Sequence, residues 1–318
     1  MTNFQLTGIH HVTAMTSSAP KIYDFMTRIL GLRLVKKTVN QDAVDTYHLY
    51  FTDDQGLPGT DLTFFDTKDV SWNVAGHHMI SRISLRVPDD AAIEFWQQRF
   101  SDLGVTYGVT DRHFGALTLP FEDFDHQQYQ LISDEHNHGL AGAYNKLGTL
   151  DEAVAIRGLG PVYVTMDDLG AIEPVLTTLM GFERVDDSNN ETLFELANNG
   201  HGAQLVVVED PTANLGSYGW GGVHHVAFRT PNHDTLKAWI EKIQQTDLPD
   251  SGYRNRYYFE SEYFRPVPRI LFELATDEPG FFEDETYLDA GKKLELPPFL
   301  EAQRAAIEQS LTPFDTAD

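Results

Sequence analysis

The chain has 318 residues, 41% hydrophobic and 22% charged, a balance typical of a globular protein with room for about two domains. Acidic residues outnumber basic ones by 48 to 23, and this net charge of −25, without a basic patch, argues against nucleic-acid or membrane binding. The lack of cysteine excludes disulfides, thiolate metal sites and iron–sulfur clusters, so any metal has to be held by His, Asp or Glu.

The first predicted elements are a strand in residues 8–16 and a helix that starts near Pro20. Apolar side chains at i, i+3, i+4, i+7 and i+8 form one buried helix face, and Gly31 follows where a left-handed residue ends a helix. The first residues contain neither the basic nor the apolar segment of a signal peptide, and no run of about 18 apolar residues occurs. We therefore expect a cytoplasmic protein.

The same helix pattern returns later in the chain, which indicates internal repeats. A shift of 150 residues brings back five apolar positions and a terminal glycine, Gly181. A shift of 214 residues places His11 on His225, and a looser copy contains the strand at 80–87. Further strands follow each helix, so the repeating unit is β-α-β-β-β. The four predicted units span residues 8–66, 78–133, 155–209 and 221–276.

Four such units predict an α+β fold in which pairs of units curl into half-barrels around a cavity. We expect an N-terminal domain at residues 1-145 with two units, and a C-terminal domain at residues 150-318 with two units and a tail. Residues 136–145, rich in Gly, Asn and His, are the expected linker. The tail at 281–318 contains a short amphipathic helix, and we expect it to hold the surface rather than to carry chemistry.

Three polar residues suggest a metal site. His11 and His225 occupy the same position in the first and fourth units, within the stretches Gly-Ile-His-His-Val and Gly-Val-His-His-Val. Glu273 lies in the middle of an apolar strand, where a carboxylate is costly unless it is paired or binds a cation. Two histidines and one carboxylate form the facial triad that holds non-haem Fe(II) and leaves three positions open for substrate and O2.

Each of these residues also has an ordinary explanation. A single strand histidine is more often a core residue with satisfied hydrogen bonds, and Glu273 alone suits an edge strand that faces water. The coincidence of position in two repeats favours the metal site. This site requires the first and fourth units to face each other, leaving the second and third units to form a cavity without a metal. Pairing of neighbouring units along the chain would separate His11 from His225.

Strand alternation distinguishes the two histidines of each doublet. If Ile9 and Val12 pack toward the helix, His11 and Thr13 point into the cavity and His10 faces away. Thr13 therefore joins the candidate catalytic residues. His10 and His224 are candidates for supporting the metal ligands from behind, and a surface or interlayer position fits these two residues equally well.

These motifs resemble the vicinal oxygen chelate superfamily of glyoxalases, bleomycin-resistance proteins and extradiol dioxygenases, and more narrowly its hydroquinone-type ring-cleaving dioxygenases. The resemblance implies an Fe(II) or Mn(II) centre on His11, His225 and Glu273, with Arg256 and Tyr263 near the substrate oxygen. It implies cleavage of a hydroquinone- or catechol-type diol by O2. A solvated arginine is the ordinary alternative for Arg256. The matching stretches are residues 8–13, 222–228, 256–265, 271–281 and 294–304.

Two other functions stay open at this point. A glyoxalase-type lyase generally uses a fourth protein ligand and a non-redox metal, and the first unit has Phe64 and Phe65 where a second strand carboxylate is expected. A metal-free protein that binds an aromatic drug between paired units is the alternative outside the enzymes. We expect no nucleic-acid or membrane partner, and the sequence leaves the oligomeric state open, including a homo-oligomer.

Overall fold

The computed structural model describes residues 4–316, which form two large sheets and few helices. The sixteen strands are β1 (Ile9–Met15), β2 (Arg33–Asn40), β3 (Ala43–Thr52), β4 (Asp61–Phe65), β5 (Met79–Val87), β6 (Asp111–His113), β7 (Ala116–Glu122), β8 (Gln128–Ser133), β9 (Leu159–Met166), β10 (Phe182–Ser188), β11 (Glu191–Leu196), β12 (Gln204–Glu209), β13 (Gly222–Thr230), β14 (Asp250–Asn255), β15 (Phe259–Phe264) and β16 (Phe272–Pro279). The α-helices are α1 (Ala19–Asp24), α2 (Asp90–Leu103), α3 (His233–Ile243) and α4 (Arg304–Ser310). Short π-helical turns lie at Phe25–Ile29 and Val175–Met180, and 3-10 turns lie at Leu169–Ala171, Gly200–Ala203 and Glu301–Gln303.

Each quarter of the chain contains one strand, a helical segment and three further strands, so the four predicted units and the α+β class are confirmed. In the first unit, the Ser18 side chain accepts a hydrogen bond from the Lys21 backbone N–H and begins α1. Gly31 has φ +75°, the left-handed conformation expected of a residue that ends a helix. The regular helix predicted from the spacing instead changes to a π-helical turn after Asp24, because the Leu30 N–H donates to the Phe25 carbonyl oxygen five residues back.

The two sheets pair the units as the predicted metal site requires. One sheet has the strand order β14-β15-β16-β13-β1-β4-β3-β2 and joins the fourth unit to the first. The other has the order β10-β11-β12-β9-β5-β8-β7-β6 and joins the third unit to the second. At each junction the first strands of the two units run antiparallel, β1 beside β13 and β5 beside β9. The predicted pairing of the outer units and of the inner units is therefore confirmed.

The proposed division into residues 1-145 and 150-318 stays a prediction, because strand pairing does not test which segments fold alone. Residues 134–158, which include the expected linker, contain no helix or strand. One continuous apolar cluster includes side chains from both sheets, such as Val12, Phe228, Ile83 and Val162. The two sheets therefore share a core.

The C-terminal tail packs along the edge strand β2. Leu294 forms an isolated parallel bridge with Lys37, and the Lys37 ammonium donates to the Phe314 carbonyl oxygen at 2.6 Å. Leu296 and Ile307 are buried in the main apolar cluster. The tail thus covers the first sheet, as expected. Among residues 4–316, no helix is long and apolar enough to cross a membrane.

Candidate metal centre

Three adjacent strands of the first sheet carry the predicted metal ligands, His11 on β1, His225 on β13 and Glu273 on β16. His11 lies opposite Ala227 on β13, and Ala227 lies opposite Glu273 on β16. Since His225 is two residues from Ala227, strand alternation places all three side chains on the same face of the sheet. All three side chains are buried.

The ligand atoms of these residues form a nearly equilateral triangle. The Glu273 Oε2 atom lies 3.1 Å from His11 Nε2 and 2.9 Å from His225 Nε2, and the two nitrogens lie 3.1 Å apart. Three donors on one face of an octahedral ion, each bound at about 2.1 Å, lie about 3.0 Å from one another. The residues therefore fit a divalent ion in the facial arrangement.

The electrostatics of the triangle also call for a cation. Burial favours a protonated Glu273, but the two imidazoles outweigh it and hold the Glu273 pKa well below its usual range. The Ser261 hydroxyl donates to the other carboxylate oxygen, Oε1, at 2.5 Å. Burial lowers the pKa of His225 and favours its neutral form. A buried carboxylate beside two imidazole nitrogens is stabilised by a positive charge placed between them.

The neighbouring histidines orient the two ligand rings. His11 Nδ1 lies 2.9 Å from His10 Nδ1, and His10 Nε2 lies 3.1 Å from the Thr276 carbonyl oxygen. The carbonyl only accepts, so His10 carries its proton on Nε2, accepts from the Nδ1–H of His11, and leaves the lone pair of His11 Nε2 directed at the triangle. His224 Nδ1 lies 2.8 Å from His225 Nδ1. Burial and the adjacent His225 lower the pKa of His224 to about 3.

A chain of hydrogen bonds leads from the triangle across β4 to β3. The Thr13 hydroxyl lies 2.9 Å from His225 Nε2 and 2.7 Å from the Thr63 hydroxyl. The Thr63 hydroxyl also lies 2.9 Å from His48 Nε2, and His48 Nδ1 lies 2.8 Å from the Tyr50 hydroxyl. Burial lowers the His48 pKa and raises that of Tyr50, so both groups are neutral and act as hydrogen-bond donors or acceptors rather than as charges.

Arg256 and Tyr263 lie together on the cavity wall. The Arg256 Nε–H donates to the Tyr263 hydroxyl at 3.2 Å, and its Nη2 donates to Asp42 Oδ2 at 2.8 Å. Tyr263 lies opposite Glu273 in the β15–β16 ladder. Burial and the Glu273 carboxylate raise the Tyr263 pKa, which keeps the phenol protonated. The Arg256 side chain is 17% exposed, so the alternative of a freely solvated arginine does not describe it.

The triangle opens into a cavity of about 470 Å³. His11, His225, Arg256 and Tyr263 line this cavity together with His224. His10 is buried behind the wall and does not line it. Phe65, Phe259 and Tyr50 supply aromatic surface, a wall composition suited to a small flat ligand.

Several cavity residues were not identified from the sequence. His48 and Tyr50 alternate on β3, and this i, i+2 spacing was the signal that they share a face. Asp42, in the β2–β3 turn, reaches the site only through its contact with Arg256. The prediction that Phe64 or Phe65 occupies the position equivalent to Glu273 was wrong, because the true position is one or two residues earlier. The register places Thr63 there, since Thr63 lies opposite Thr13 as Glu273 lies opposite Ala227.

Comparison with known proteins gives consistent matches. Residues 8–131 match the model of the Glyoxalase/Bleomycin resistance protein/Dioxygenase superfamily. "Putative ring-cleaving dioxygenase MhqA" of Bacillus subtilis (strain 168) is 39% identical over 97% of this chain and 99% of that protein. "Chlorohydroquinone/hydroquinone 1,2-dioxygenase" of Sphingobium indicum is 30% identical, with 92% of each chain covered. A crystal structure described as a putative dioxygenase from Bacillus subtilis matches with a TM-score of 0.89 and 34% identity over 99% of both chains.

Proposed function

The chain belongs to the ring-cleaving dioxygenases of the glyoxalase/bleomycin resistance protein/dioxygenase superfamily, and we propose that it uses Fe(II) and O2 to open a hydroquinone-type ring. Catechols are the second substrate class, and Mn(II) is the second candidate metal. The observation that carries the proposal is the triangle of His11, His225 and Glu273, whose 2.9 to 3.1 Å edges match one face of an octahedral ion. When bound, the ion supplies a Lewis acid for substrate oxygens and an electron path between an electron-rich ring and O2.

The cavity supports a single-ring aromatic diol as the substrate. Its aromatic side chains, Phe65, Phe259 and Tyr50, offer faces and edges to a flat ring. The named substrates of the Sphingobium indicum relative, chlorohydroquinone and hydroquinone, favour hydroquinones over catechols for this chain as well.

Arg256 and Tyr263 bind the substrate oxygen in this proposal. The guanidinium stabilises the phenolate that forms when the diol loses a proton, and its bond to Asp42 fixes the guanidinium plane. The Tyr263 phenol stays protonated because burial raises its pKa, so it donates a hydrogen bond rather than acting as a base.

The remaining polar residues form hydrogen bonds to the proposed ligands or to the substrate. His224 lines the cavity, and because burial keeps its ring neutral, it offers the substrate a hydrogen-bonding group rather than a strong base. His10 holds the tautomer of His11 through its bond to the Thr276 carbonyl. The Thr13 hydroxyl lies next to His225 Nε2 and is hydrogen-bonded to the Thr63 hydroxyl, so Thr13 borders the proposed metal position.

A lyase of the glyoxalase type fits the site less well. The position that corresponds to Glu273 in the first unit holds Thr63, whose hydroxyl is engaged with Thr13 and His48. No second carboxylate is therefore present at this position to act as a fourth protein ligand, which suits chemistry that needs open coordination sites.

Oxygen consumption tests the proposed function. Protein purified anaerobically and loaded with Fe(II) is mixed with hydroquinone, chlorohydroquinone or catechol, and O2 uptake is followed together with the ring-opened product. We expect uptake with at least one hydroquinone, and no uptake by the His11→Ala variant under the same conditions. If no diol supports uptake by the Fe(II)- or Mn(II)-loaded enzyme, the proposed reaction is rejected.

A further inference from the structure

A second group of metal-ligating side chains lies outside the cavity, at one end of the β5–β9 pair. His77 and His78 immediately precede β5, and Asp167 immediately follows β9. The two strands are antiparallel, with Met79 opposite Thr165. The start of β5 and the end of β9 therefore meet, and this brings the three side chains together.

The three residues direct their polar atoms toward one another. His78 Nε2 lies 2.8 Å from Asp167 Oδ1, and His77 Nδ1 lies 4.0 Å from Asp167 Oδ2. One ligand atom from each residue can be chosen so that all three lie within 4.8 Å of one another. The two imidazoles are 16% and 17% exposed and the carboxylate is 44% exposed, so the group is partly buried with one side open to water.

The tautomer of His78 leaves a lone pair facing the carboxylate. His78 Nδ1 lies 3.2 Å from the Pro268 carbonyl oxygen, which only accepts, so Nδ1 carries the ring proton. A neutral His78 then presents the lone pair of Nε2 to an Asp167 oxygen, and two lone pairs at 2.8 Å require a positive species between them. A second proton on His78 satisfies this need as an ion pair, and so does a metal ion.

His77 distinguishes these two possibilities. Its Nδ1 is buried and has no hydrogen-bond partner within residues 4–316, although it faces the same carboxylate. An ion pair between His78 and Asp167 leaves this nitrogen unsatisfied, which is unfavourable for a buried polar atom. A shared cation satisfies all three residues.

The backbone holds the two histidines in place. The His77 N–H donates to the Asn214 carbonyl oxygen at 3.0 Å, and the His77 carbonyl accepts from the Gly216 N–H at 3.0 Å. His78 has φ +59°, a left-handed conformation that is uncommon outside glycine and that recurs at functional sites. The backbone positions of the two histidines are therefore set by hydrogen bonds and conformation that do not involve an ion.

We propose that His77, His78 and Asp167 form a second divalent-metal site, which binds a zinc-class ion through two imidazoles and one carboxylate. Water completes the coordination on the exposed side, as at zinc sites with three protein ligands. The bond from His78 to Pro268 connects this ion to the segment between β15 and β16, which leads to the cavity residue Leu271. The second site stabilises that segment and takes no part in the redox reaction.

Counting bound zinc tests the second site independently of the dioxygenase activity. Metal-free full-length protein is titrated with Zn(II) against a chromophoric chelator. We expect two equivalents for the wild type and for the control His126→Ala, which removes an exposed histidine paired with Glu122 alone. We expect one equivalent for His77→Ala, for Asp167→Asn and for the double variant His11→Ala/His225→Ala.

Thermal unfolding gives a second readout. In the His11→Ala/His225→Ala background, Zn(II) raises the unfolding midpoint through the second site, and adding His77→Ala or Asp167→Asn abolishes this rise. Equal zinc stoichiometry in the wild type, His77→Ala and Asp167→Asn overturns the second site, whatever the result at His11 and His225. The second site is also overturned if zinc is lost only in the His11→Ala/His225→Ala variant.

Discussion

Thr63 and Glu273 hold equivalent positions in the two halves of the first sheet. Thr63 lies opposite Thr13, Glu273 lies opposite Ala227, and Thr13 and Ala227 each follow a ligand histidine by two residues. The proposed metal site therefore uses equivalent positions of two units with different side chains, a histidine and a carboxylate in one half and a histidine and a hydroxyl in the other.

Replacing Thr63 with Glu restores the symmetry and fills a coordination position. We expect Thr63→Glu to bind the metal at least as tightly as the wild type, while its O2 uptake with hydroquinone falls about 10-fold or more, because an open position is lost. Metal analysis and O2 uptake check both parts. The control Thr63→Leu has similar bulk without a ligand atom, and equal activity loss in both variants contradicts the explanation.

Glu273 supplies the only negative charge of the triangle, so its neutral isostere should fail to hold the ion. Glu273→Gln keeps the size of the side chain but removes the charge. Changes behind metal ligands weaken metal binding by about 10- to 100-fold, so loss of a ligand should weaken it by at least about 100-fold. Competition with a chelator measures the affinity. Ser261→Ala, which removes only the hydrogen bond to Oε1, is the matched milder change, and an equal loss in both variants argues against coordination by Oε2.

Arg256 provides a directed, charged hydrogen bond in the proposed reaction. Arg256→Met should raise KM for hydroquinone by about 10- to 100-fold, since a hydrogen bond to a charged group contributes about 1.5 to 3 kcal/mol. Steady-state kinetics at several substrate concentrations measure the effect. Arg254 also lines the cavity but is exposed. A similar rise in KM for Arg254→Met means that general positive charge, rather than the Arg256 geometry, attracts the substrate.

Glu262 makes stability depend on pH. Its side chain is fully buried, neither carboxylate oxygen has a hydrogen-bond partner within residues 4–316, and burial together with Asp250 raises its pKa to about 8. The folded protein therefore keeps a proton that the unfolded chain releases above its ordinary pKa of 4.5. This contribution is neutral below pH 4.5 and destabilises the fold progressively as the pH rises toward 8.

Glu262→Gln should remove this dependence. The difference in the free energy of unfolding between Glu262→Gln and the wild type should shift in favour of the variant by about 1 to 3 kcal/mol between pH 4.5 and pH 7. Urea unfolding between pH 4.5 and 8 measures the difference, and the exposed Glu94 on α2 provides the control Glu94→Gln. Parallel stability profiles for the wild type and Glu262→Gln show that Glu262 ionises normally.

Lys36 attaches the C-terminal tail to the first sheet. Its buried ammonium contacts Asp284 at 2.5 Å and also contacts Glu285. Lys36→Met leaves two acidic groups without their cation and should cost about 3 to 5 kcal/mol. Thermal unfolding and proteolysis of the 281–290 segment check this. Combining Lys36→Met with Asp284→Asn and Glu285→Gln should recover most of the loss, and no recovery means that Lys36 acts through packing alone.

The internal repeats predicted much of the fold, and they also predicted the candidate metal site. His11 and His225 occupy the same position in two repeats, and Glu273 interrupts an apolar strand. All three residues could therefore be identified from the sequence pattern. Gly31 and Gly181 marked the helix ends, and both have left-handed backbone. Units one and four had to pair if the histidines were to share an ion.

Features that depend on strand register were not readable from the sequence. Leu62-Thr-Phe-Phe has no alternation that singles out Thr63, and only its pairing with Thr13 identifies it as the counterpart of Glu273. Asp42 is distant in sequence from Arg256, and an acidic residue in a turn is ordinarily a solvated one. The π-helical turn at Phe25–Ile29 follows from packing, because the apolar spacing alone fits a regular helix.

The pairing of the outermost units sets the order in which this enzyme can become active during synthesis. The inner sheet uses residues 79–209, all of which leave the ribosome before His225 and Glu273. Strand β1 therefore has no β13 neighbour until residues 222–230 have been made, and strand pairing over such a sequence separation is slow. A nascent or C-terminally truncated chain that ends before residue 273 lacks the complete set of proposed ligands, so residue 273 has to be made before a metal ion can bind there.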